Sequence, residues 1–242
     1  MAGKLEGKTA VVTGAGRGIG RAICVALAQE GATIVLASVT KAKLNETAKL
    51  VDKAGGKAHI VVTDLMDDDS ISNLIKTVKN NFGVLDILIN NAGVTHTLKF
   101  EETSTETWRK CMQINATAPF VLCKGFLPLL RKESTSYIIN ISSVVGVKGY
   151  ALQSAYTASK HAVRGMTIVL GEELNSTNIR VHLICPGGVD TDLIPQVRPD
   201  LKSEVLMRPE EIAELVMYLV THDGIGFIDE IHIRRKTSKP WF

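Results

Sequence analysis

The sequence has little that would indicate a disulfide, a metal, a membrane or a nucleic acid. Its four cysteines lie far apart with neither metal-ligand nor redox spacing, which favours free thiols in a reducing compartment. No apolar run approaches the roughly 18 residues of a membrane helix, and the N-terminal MAGKLEGKTAVV lacks the apolar core of a signal peptide. The net charge of +3 is too small to imply a nucleic-acid partner. We therefore expect a cytoplasmic protein without a metal and without a membrane or nucleic-acid partner.

Carboxylates are missing from a longer stretch that bears on cofactor choice. From Gly31 to Asn45, which includes LASVTKAKL (36–44), the chain contains no Asp or Glu. An NAD-binding unit places an acid about 20 residues after its glycine loop, where it binds the adenosine ribose. If this stretch ends the second strand of such a unit, the missing acid favours a different cofactor.

What the chain does contain predicts one folded α/β domain over residues 1–242. Hydrophobic residues make up 45% and charged residues 22%, as in ordinary globular proteins. Apolar, β-branched runs alternate with segments of helical period, and most runs are apolar on both faces, as buried parallel strands are. This order predicts a single-domain, doubly wound, seven-stranded parallel sheet with helices on both faces, a Rossmann fold. The predicted strands are 8–13, 33–38, 58–63, 86–90, 137–142, 180–185 and 227–233, and the predicted helices are 18–30, 41–54, 67–81, 105–131, 155–176 and 209–221.

Two helix starts have recognisable signals. Thr103 with Glu106 predicts a capping box before the helix at 105–131. Pro209 followed by two glutamates predicts the start of the last helix.

A glycine-rich loop follows the first predicted strand. In TGAGRGIG (13–20) the G-x-G-x-x-G pattern fails, but Gly14, Gly18 and Gly20 give T-G-x-x-x-G-x-G, a longer turn. Such a turn lets the backbone approach a pyrophosphate at a helix N-terminus, where free N–H groups and the dipole favour anions. A merely flexible glycine turn is the alternative, and the place of the loop between strand and helix favours phosphate binding.

A tyrosine and a lysine are spaced for a shared role. Tyr156 and Lys160 lie four residues apart in a helical pattern, so they share a face. A neighbouring ammonium favours the phenolate and lowers the tyrosine pKa, which would suit proton transfer. We expect no acid or cysteine to cluster with the three strand histidines, His59, His182 and His232, and therefore expect no metal there.

Six motifs together resemble the short-chain dehydrogenase/reductase family, and in type its 3-oxoacyl-[acyl-carrier-protein] reductases. They are TGAGRGIG (13–20), NNAG (90–93), Asn115, Ser143, YTASK (156–160) and PGGVDT (186–191), in the family's order and approximate spacing. The resemblance covers nearly the whole chain and implies a nicotinamide-dependent oxidoreductase acting on a carbonyl or a secondary alcohol. Most family members form tetramers, so a homotetramer or homodimer is expected.

The resemblance implies a role for each catalytic position. Tyr156 would be the acid/base, and Ser143 would hydrogen-bond the substrate oxygen. Lys160 would hold the nicotinamide ribose and lower the tyrosine pKa. Asn115 would hold a water that links Lys160 to solvent.

It also implies the residues around the cofactor. The glycine loop would hold the pyrophosphate, Asp64 would contact the adenine amino group, the NNAG loop would lie beneath the cofactor, and PGGVDT would hold the carboxamide. The expected cofactor-binding residues are Gly14, Arg17, Gly18, Ile19, Gly20, Ser38, Lys41, Asp64, Leu65, Asn91, Ala92, Gly93, Tyr156, Lys160, Pro186, Gly187, Val189 and Thr191.

The missing acid then predicts NADP(H) in preference to NAD(H). Ser38 occupies the position of the ribose-binding acid and does not repel a 2′-phosphate. Arg17 and Lys41 are the cations expected to neutralise that phosphate, because Val39 stands where related NADP enzymes often have arginine.

The substrate is left open by the sequence, since one fold serves many substrates. Side chains expected at the pocket are His96, Val145, Tyr150 and Gln153, with a substrate loop at about 189–208. A carrier-bound 3-oxoacyl group would suit the basic Arg131 and Lys132, whereas the acidic and neutral EELNSTN (172–178) argues against it. A general carbonyl, diketone or sugar/polyol reductase is the alternative, and a non-catalytic NADP-binding regulator is the alternative of another class.

The C-terminus also departs from the carrier-protein reductases, which end in a glycine-rich segment. Here IDEIHIRRKTSKPWF (228–242) takes its place. We expect the basic tail 234–242 to pack on the body of the protein or on a neighbouring subunit.

Overall fold

The protein is a seven-stranded, wholly parallel sheet with helices on both faces. The computed structural model describes residues 3–132, 134–198 and 200–240. The strands are β1 (Thr9–Thr13), β2 (Thr33–Ser38), β3 (Lys57–Val62), β4 (Ile87–Asn90), β5 (Ser136–Ile141), β6 (Ile179–Pro186) and β7 (Glu230–Ile233). They pair in the order β3-β2-β1-β4-β5-β6-β7, which confirms the predicted doubly wound sheet. The last strand is shorter than predicted, since residues 227–229 precede it.

Helices cover the two faces of the sheet. They are α1 (Gly18–Gln29), α2 (Lys41–Lys53), α3 (Asp68–Phe82), α4 (Thr105–Met112), α5 (Ala118–Leu130), α6 (Ser154–Leu174), α7 (Ile194–Val197) and α8 (Pro209–Thr221). On one face α1 packs against α2 and α8, and on the other α5 packs against α3 and α6. Each face has its own apolar cluster, so the sheet is covered on both sides and its strands are mostly apolar, although the edge strand β3 exposes Lys57, His59 and Val62. Within the described ranges, no helix is both long and apolar enough to cross a membrane.

The predicted helix 105–131 is wrong in one respect, because a π turn at Gln113–Thr117 separates α4 from α5. Pro119 provides a physical reason. It has no N–H to donate to the carbonyl four residues earlier, and its ring clashes there, so the helix widens locally.

The capping box is also corrected. The side chain of Ser104, not Thr103, accepts the N–H of Thr107 at 3.1 Å, while Thr103 donates its hydroxyl to the carbonyl of Lys99. Pro209 begins α8 as predicted.

The strand order reverses beside β1, which lies between β2 and β4. In open α/β sheets, crevices form at the carboxyl ends of the strands where the order reverses. A cleft of about 700 Å³ lies there, lined from the glycine loop to the residues after β7.

Candidate active site

The glycine loop between β1 and α1 adopts a conformation that requires glycine. Gly14 and Gly18 have φ values of +66° and +51°, in the left-handed region. A Cβ at Gly20 would lie 2.3 Å from the carbonyl oxygen of Gly14, so the start of α1 packs directly on the turn. This is an open backbone cradle at a helix N-terminus, and its shape fits the pyrophosphate of a dinucleotide.

The loop after β4 supports this cradle from below. The side-chain amide of Asn91 donates to the carbonyl of Thr13 at 2.9 Å, and the backbone N–H of Asn91 donates to the Thr13 hydroxyl at 3.0 Å. A Cβ at Gly14 would lie 2.8 Å from the same amide nitrogen. The NNAG segment therefore fixes the position of the glycine loop.

Three side chains meet at the opposite side of the cleft. Tyr156 and Lys160 lie on α6, and Ser143 follows β5, where it accepts the N–H of Val145 and donates to the carbonyl of Pro186, both at 3.3 Å. The three side chains line the same cleft as the glycine loop. The structure thus combines a phenol, a hydroxyl and an ammonium beside a dinucleotide cradle.

Burial is the main influence on the pKa values of Tyr156 and Lys160. It raises the pKa of Tyr156 above its ordinary value, and the hydrogen bond with Ser143 opposes that rise. The expected lowering by Lys160 is wrong here, because the ammonium donates to the carbonyl of Ile141 at 2.8 Å and lies 5.9 Å from the tyrosine ring centroid. Burial lowers the pKa of Lys160 to about 8. At neutral pH the phenol therefore holds its proton, and Lys160 titrates close to the working range.

Asn115 lies behind the catalytic group, in the π turn, and does not line the cleft. Its side chain accepts the N–H of Val94 at 2.8 Å and donates to the carbonyl of Val94 and the hydroxyl of Ser159, both at 2.9 Å. The Ser159 hydroxyl in turn donates to the carbonyl of Tyr156. Asn115 therefore joins the loop after β4 to the catalytic helix.

Most of the residues expected from the sequence line the cleft. Of the cofactor-binding set, Gly20 and Lys41 are outside the lining. Of the pocket set, His96 is outside it. The lining includes Gly14, Arg17, Gly18, Ile19, Ser38, Asp64, Leu65, Asn91, Ala92, Gly93, Val145, Tyr150, Gln153, Pro186, Gly187, Val189 and Thr191.

Lys41 is exposed on α2, and neither it nor Lys43 lines the cleft. The Lys43 side chain passes the glycine loop, 3.1 Å from where a Cβ on Gly16 would stand, and its ammonium lies 3.7 Å from Asp192. Arg17 forms an ion pair with the same Asp192 carboxylate and holds its pKa below the ordinary value. Lys43 is therefore a further cation beside the glycine loop, and the role expected of Lys41 stays a prediction.

His96 has a structural contact instead of a place in the pocket. Its Nε2 accepts the N–H of Ala155 at 3.1 Å, in the first turn of α6. Burial lowers its pKa, which keeps the ring neutral and able to accept this bond. His96 thus caps the helix that carries Tyr156.

The structure brings an acid and a cysteine close to His232. Its Nε2 lies 2.8 Å from Glu230, and Cys185 on the adjacent strand lies 3.5 Å from the same carboxylate oxygen. Arg164 of α6 also binds Glu230, with nitrogen–oxygen distances of 2.8 to 3.1 Å. The expectation that no acid or cysteine is clustered with His232 is therefore wrong, and the group ties β7 to the catalytic helix.

The residues after β7 form a wall of the cleft that our list of site residues does not include. Arg234, Arg235, Ser238, Lys239 and Pro240 line it, while Trp241 and Phe242 lie outside the described residues. Arg234 and Arg235 contact the segment after β6 at Gly187 and Gly188, while the expected packing of the rest of the tail on the body or on a neighbouring subunit stays a prediction. The signal for this wall in the sequence is the basic run directly after the last strand.

Comparison with known proteins places the chain in a family. The model of the short chain dehydrogenase family matches residues 8–202. The chain belongs to that family. It is 32% identical, over 91% of its length and 93% of the other's, to a 3-oxoacyl-[acyl-carrier-protein] reductase FabG of Thermotoga maritima.

Two solved structures are similar over 97% of the chain. An alcohol dehydrogenase from Thermococcus sibiricus, complexed with 5-hydroxy-NADP, superposes with a TM-score of 0.89 at 27% identity and is covered over 99% of its length. A metagenomic short-chain oxidoreductase in complex with NADP gives 0.85 at 33% identity, with 100% of that chain covered. The protein is accordingly an oxidoreductase of the class that interconverts carbonyls and secondary alcohols.

Proposed function

We propose that the protein transfers a hydride between NADP(H) and a small-molecule carbonyl or secondary alcohol, with Tyr156 as the acid/base. The observation that carries this proposal is the convergence of Tyr156, Ser143 and Lys160 on the cleft that begins at the glycine loop. The nicotinamide, when bound, supplies the hydride chemistry. The protein supplies position, hydrogen bonds and proton transfer.

The proton steps follow from the side chains. In the reducing direction Tyr156, which burial keeps protonated, gives its phenolic proton to the carbonyl oxygen as the carbonyl carbon receives hydride. Ser143 donates a hydrogen bond to that oxygen and stabilises its developing charge. Lys160, with a pKa of about 8, returns a proton towards the phenolate, and Asn115 keeps the helix and the loop in register behind it. In the oxidising direction the same proton returns to Tyr156.

The remaining cleft residues would hold the cofactor. The glycine loop would bind the pyrophosphate, with Asp64 and Leu65 beside the adenine. The segment from Pro186 to Thr191 would hold the nicotinamide. Ser38, Arg17 and Lys43 would donate hydrogen bonds to the 2′-phosphate. Arg17 and Lys43 would then exchange their contacts with Asp192 for contacts with the phosphate.

A panel of carbonyl compounds with NADPH and NADH side by side tests the proposal. We expect reduction of at least one carbonyl class, with higher kcat/KM for NADPH. Tyr156→Phe should lose about 100-fold or more in kcat while still binding NADPH, because only proton transfer is removed. A panel without any turnover, or a phenylalanine variant as active as the wild type, would refute the proposed catalytic role.

A 3-oxoacyl group on acyl carrier protein is a second candidate substrate, favoured by the reductase of Thermotoga maritima. Arg131 and Lys132 end α5 as two exposed cations that an acidic carrier could contact. We compare a 3-oxoacyl carrier protein with the same acyl group on a short thiol. Equal kcat/KM for the two would exclude carrier recognition and leave a general carbonyl, diketone or sugar reductase.

A further inference from the structure

The substrate half of the cleft has a basic wall. Five cationic side chains line it: Lys148 after β5, Arg198 after α7, and Arg234, Arg235 and Lys239 in the tail. The tail lies against the segment after β6, where a Cβ at Gly188 would be 3.1 Å from both Arg235 Cδ and Leu206 Cδ2. Arg235 therefore lies between the segment proposed to hold the nicotinamide and the substrate loop.

Few carboxylates lie near the cations of this wall. Among the described residues, the only carboxylates that line the cleft are Asp64 and Asp192, and both lie towards the glycine-loop end. Asp200 is close to the tail, but Arg198 already binds both of its oxygens, at 2.7 and 2.6 Å. Arg198 holds the pKa of Asp200 below its ordinary value, and Arg235 adds a weaker attraction, so Asp200 offsets only part of the charge of the tail.

The tail arginines donate hydrogen bonds to neutral groups of the protein. Arg235 donates from Nε to the hydroxyl of Ser238 at 3.2 Å, and among the described residues its Nη atoms make no hydrogen bond. Arg234 donates to the carbonyl of Ser238 at 2.8 Å and to that of Arg235 at 3.2 Å. In the described part of the chain neither arginine forms a salt bridge, and neither does Lys239. Cations at the wall of a concave site, as these three are, attract an anionic ligand.

We infer that the substrate carries an anionic oxygen group, a carboxylate or a phosphate, and that Arg235 binds it. This inference rests on the proposed function and adds the substrate class to it. Arg235 is only partly buried and is held by Ser238, so its guanidinium is oriented and keeps donors for an oxyanion. We place the phosphates of the cofactor beside the glycine loop and Arg17, whereas Arg235 lies beside Gly188 in the segment after β6.

Matched substrates test this assignment with NADPH present at saturation. 4-Oxopentanoate is compared with its methyl ester, and dihydroxyacetone phosphate with dihydroxyacetone, so each pair differs in the anion. We expect kcat/KM for at least one anionic member to exceed that of its neutral partner by about tenfold or more. The preferred pair tells carboxylate from phosphate. The preference should weaken as salt rises from about 50 to about 500 mM, because screening shortens the reach of exposed charges.

Three variants in the same tail distinguish a specific role of Arg235 from an effect of general charge. Arg235→Gln should lower the ratio of anionic to neutral kcat/KM by about tenfold, and Arg235→Lys should restore part of it. Lys236→Gln is the matched control, because Lys236 is exposed in the same tail and does not line the cleft, so its ratio should stay at the wild-type value. NADPH binding by fluorescence confirms that each variant is folded.

The outcomes distinguish this inference from the proposed function. Turnover of neutral members equal to or above that of their anionic partners overturns the anionic substrate and leaves the reductase intact. A rise in the KM for NADPH in Arg235→Gln, with an unchanged ratio, assigns Arg235 to the cofactor and also overturns it. Absence of turnover on these pairs and on the wider carbonyl panel refutes the proposed function, and the inference with it.

Discussion

Lys160 holds a charge in a position that is only 4% exposed. Its ammonium donates to the backbone carbonyl of Ile141, and burial lowers its pKa to about 8 from an ordinary value of 10.5. Below about pH 8 both the folded and the unfolded chain are protonated there, so folding bears the full cost of burying the ammonium. Between about 8 and 10.5 only the unfolded chain keeps the proton, and the cost decreases as the pH rises.

Replacing this lysine should therefore stabilise the protein and inactivate it. The shift in pKa corresponds to on the order of 3 kcal/mol, so Lys160→Met should raise the free energy of unfolding at pH 7 by up to about that amount. The difference from wild type should shrink between about pH 8 and 10.5. Urea denaturation at several pH values measures it, with Lys124→Met as a control that removes an exposed charge. A wild type more stable than Lys160→Met at pH 7 would contradict the expectation.

Two lysines of α2 provide a matched test of cofactor choice. Neither lysine lines the cleft, but Lys43 approaches Asp192 and the glycine loop, whereas Lys41 is exposed. If Lys43 neutralises the 2′-phosphate, Lys43→Gln should raise the KM for NADPH by about tenfold and leave that for NADH nearly unchanged. Lys41→Gln should change neither. Steady-state kinetics with both cofactors decide, and a larger effect from Lys41 would restore the original expectation.

At the scale of elements, the π turn between α4 and α5 gives Asn115 its place. The side chain makes three hydrogen bonds, two with the backbone of Val94 and one with Ser159. Asn115→Ala leaves these groups without partners in a buried site, which should cost about 2 to 4 kcal/mol of unfolding free energy. Ser159→Ala removes one of the three bonds and should cost less. Urea denaturation of both variants measures the order, and an Asn115→Ala variant as stable as wild type would refute the bridging role.

The elements could be predicted from sequence where local patterns decide them. Most strands are apolar on both faces because helices cover both faces of the sheet. The alternation of strands and helices along the chain predicts the parallel Rossmann order. The break in helix 105–131 was also present in the sequence, as Pro119, but the apolar period around it masked the signal. Whether Thr103 or Ser104 caps the helix depends on the orientation of one hydroxyl group. The spacing of residues in the sequence does not specify that orientation.

Site residues far apart in sequence were harder to predict. Tyr156, Lys160 and Ser143 follow from family motifs with fixed spacing. His96 capping α6, and Arg164 binding Glu230 on β7, are contacts between elements more than 55 residues apart, which no local pattern encodes. The approach of Lys43 to the glycine loop depends on how α2 is rotated against that loop, which local patterns do not encode either.

For the whole molecule, a small net charge conceals an uneven distribution. The value of +3 argues against a nucleic-acid surface, yet the basic side chains of the tail concentrate at one wall of the cleft. A field focused in a concave site steers small anions more effectively than the same charges spread over a surface. Net charge alone therefore says little about the ligand of this protein.

The outer surface of the helices bears on assembly. Phe120 on α5 and Ile168 and Val169 on α6 expose 51%, 48% and 57% of their surfaces, on helices whose other faces pack on the sheet. Apolar side chains exposed in this way favour association, and the family resemblance led us to expect a homotetramer or homodimer. We predict that the protein elutes at two or four times its chain mass of 26.2 kDa in size-exclusion chromatography with light scattering.

A charge in the centre of that surface should weaken the assembly. Val169→Glu should shift the mass towards that of the single chain, because a carboxylate buried in an apolar interface loses its hydration. Ile225→Glu is the control, since Ile225 is fully exposed but lies in the loop before β7, away from α5 and α6. It should leave the mass unchanged. A wild type that remains at 26.2 kDa at every concentration would show instead that each chain completes its own cleft, with residues 234–240 as its wall.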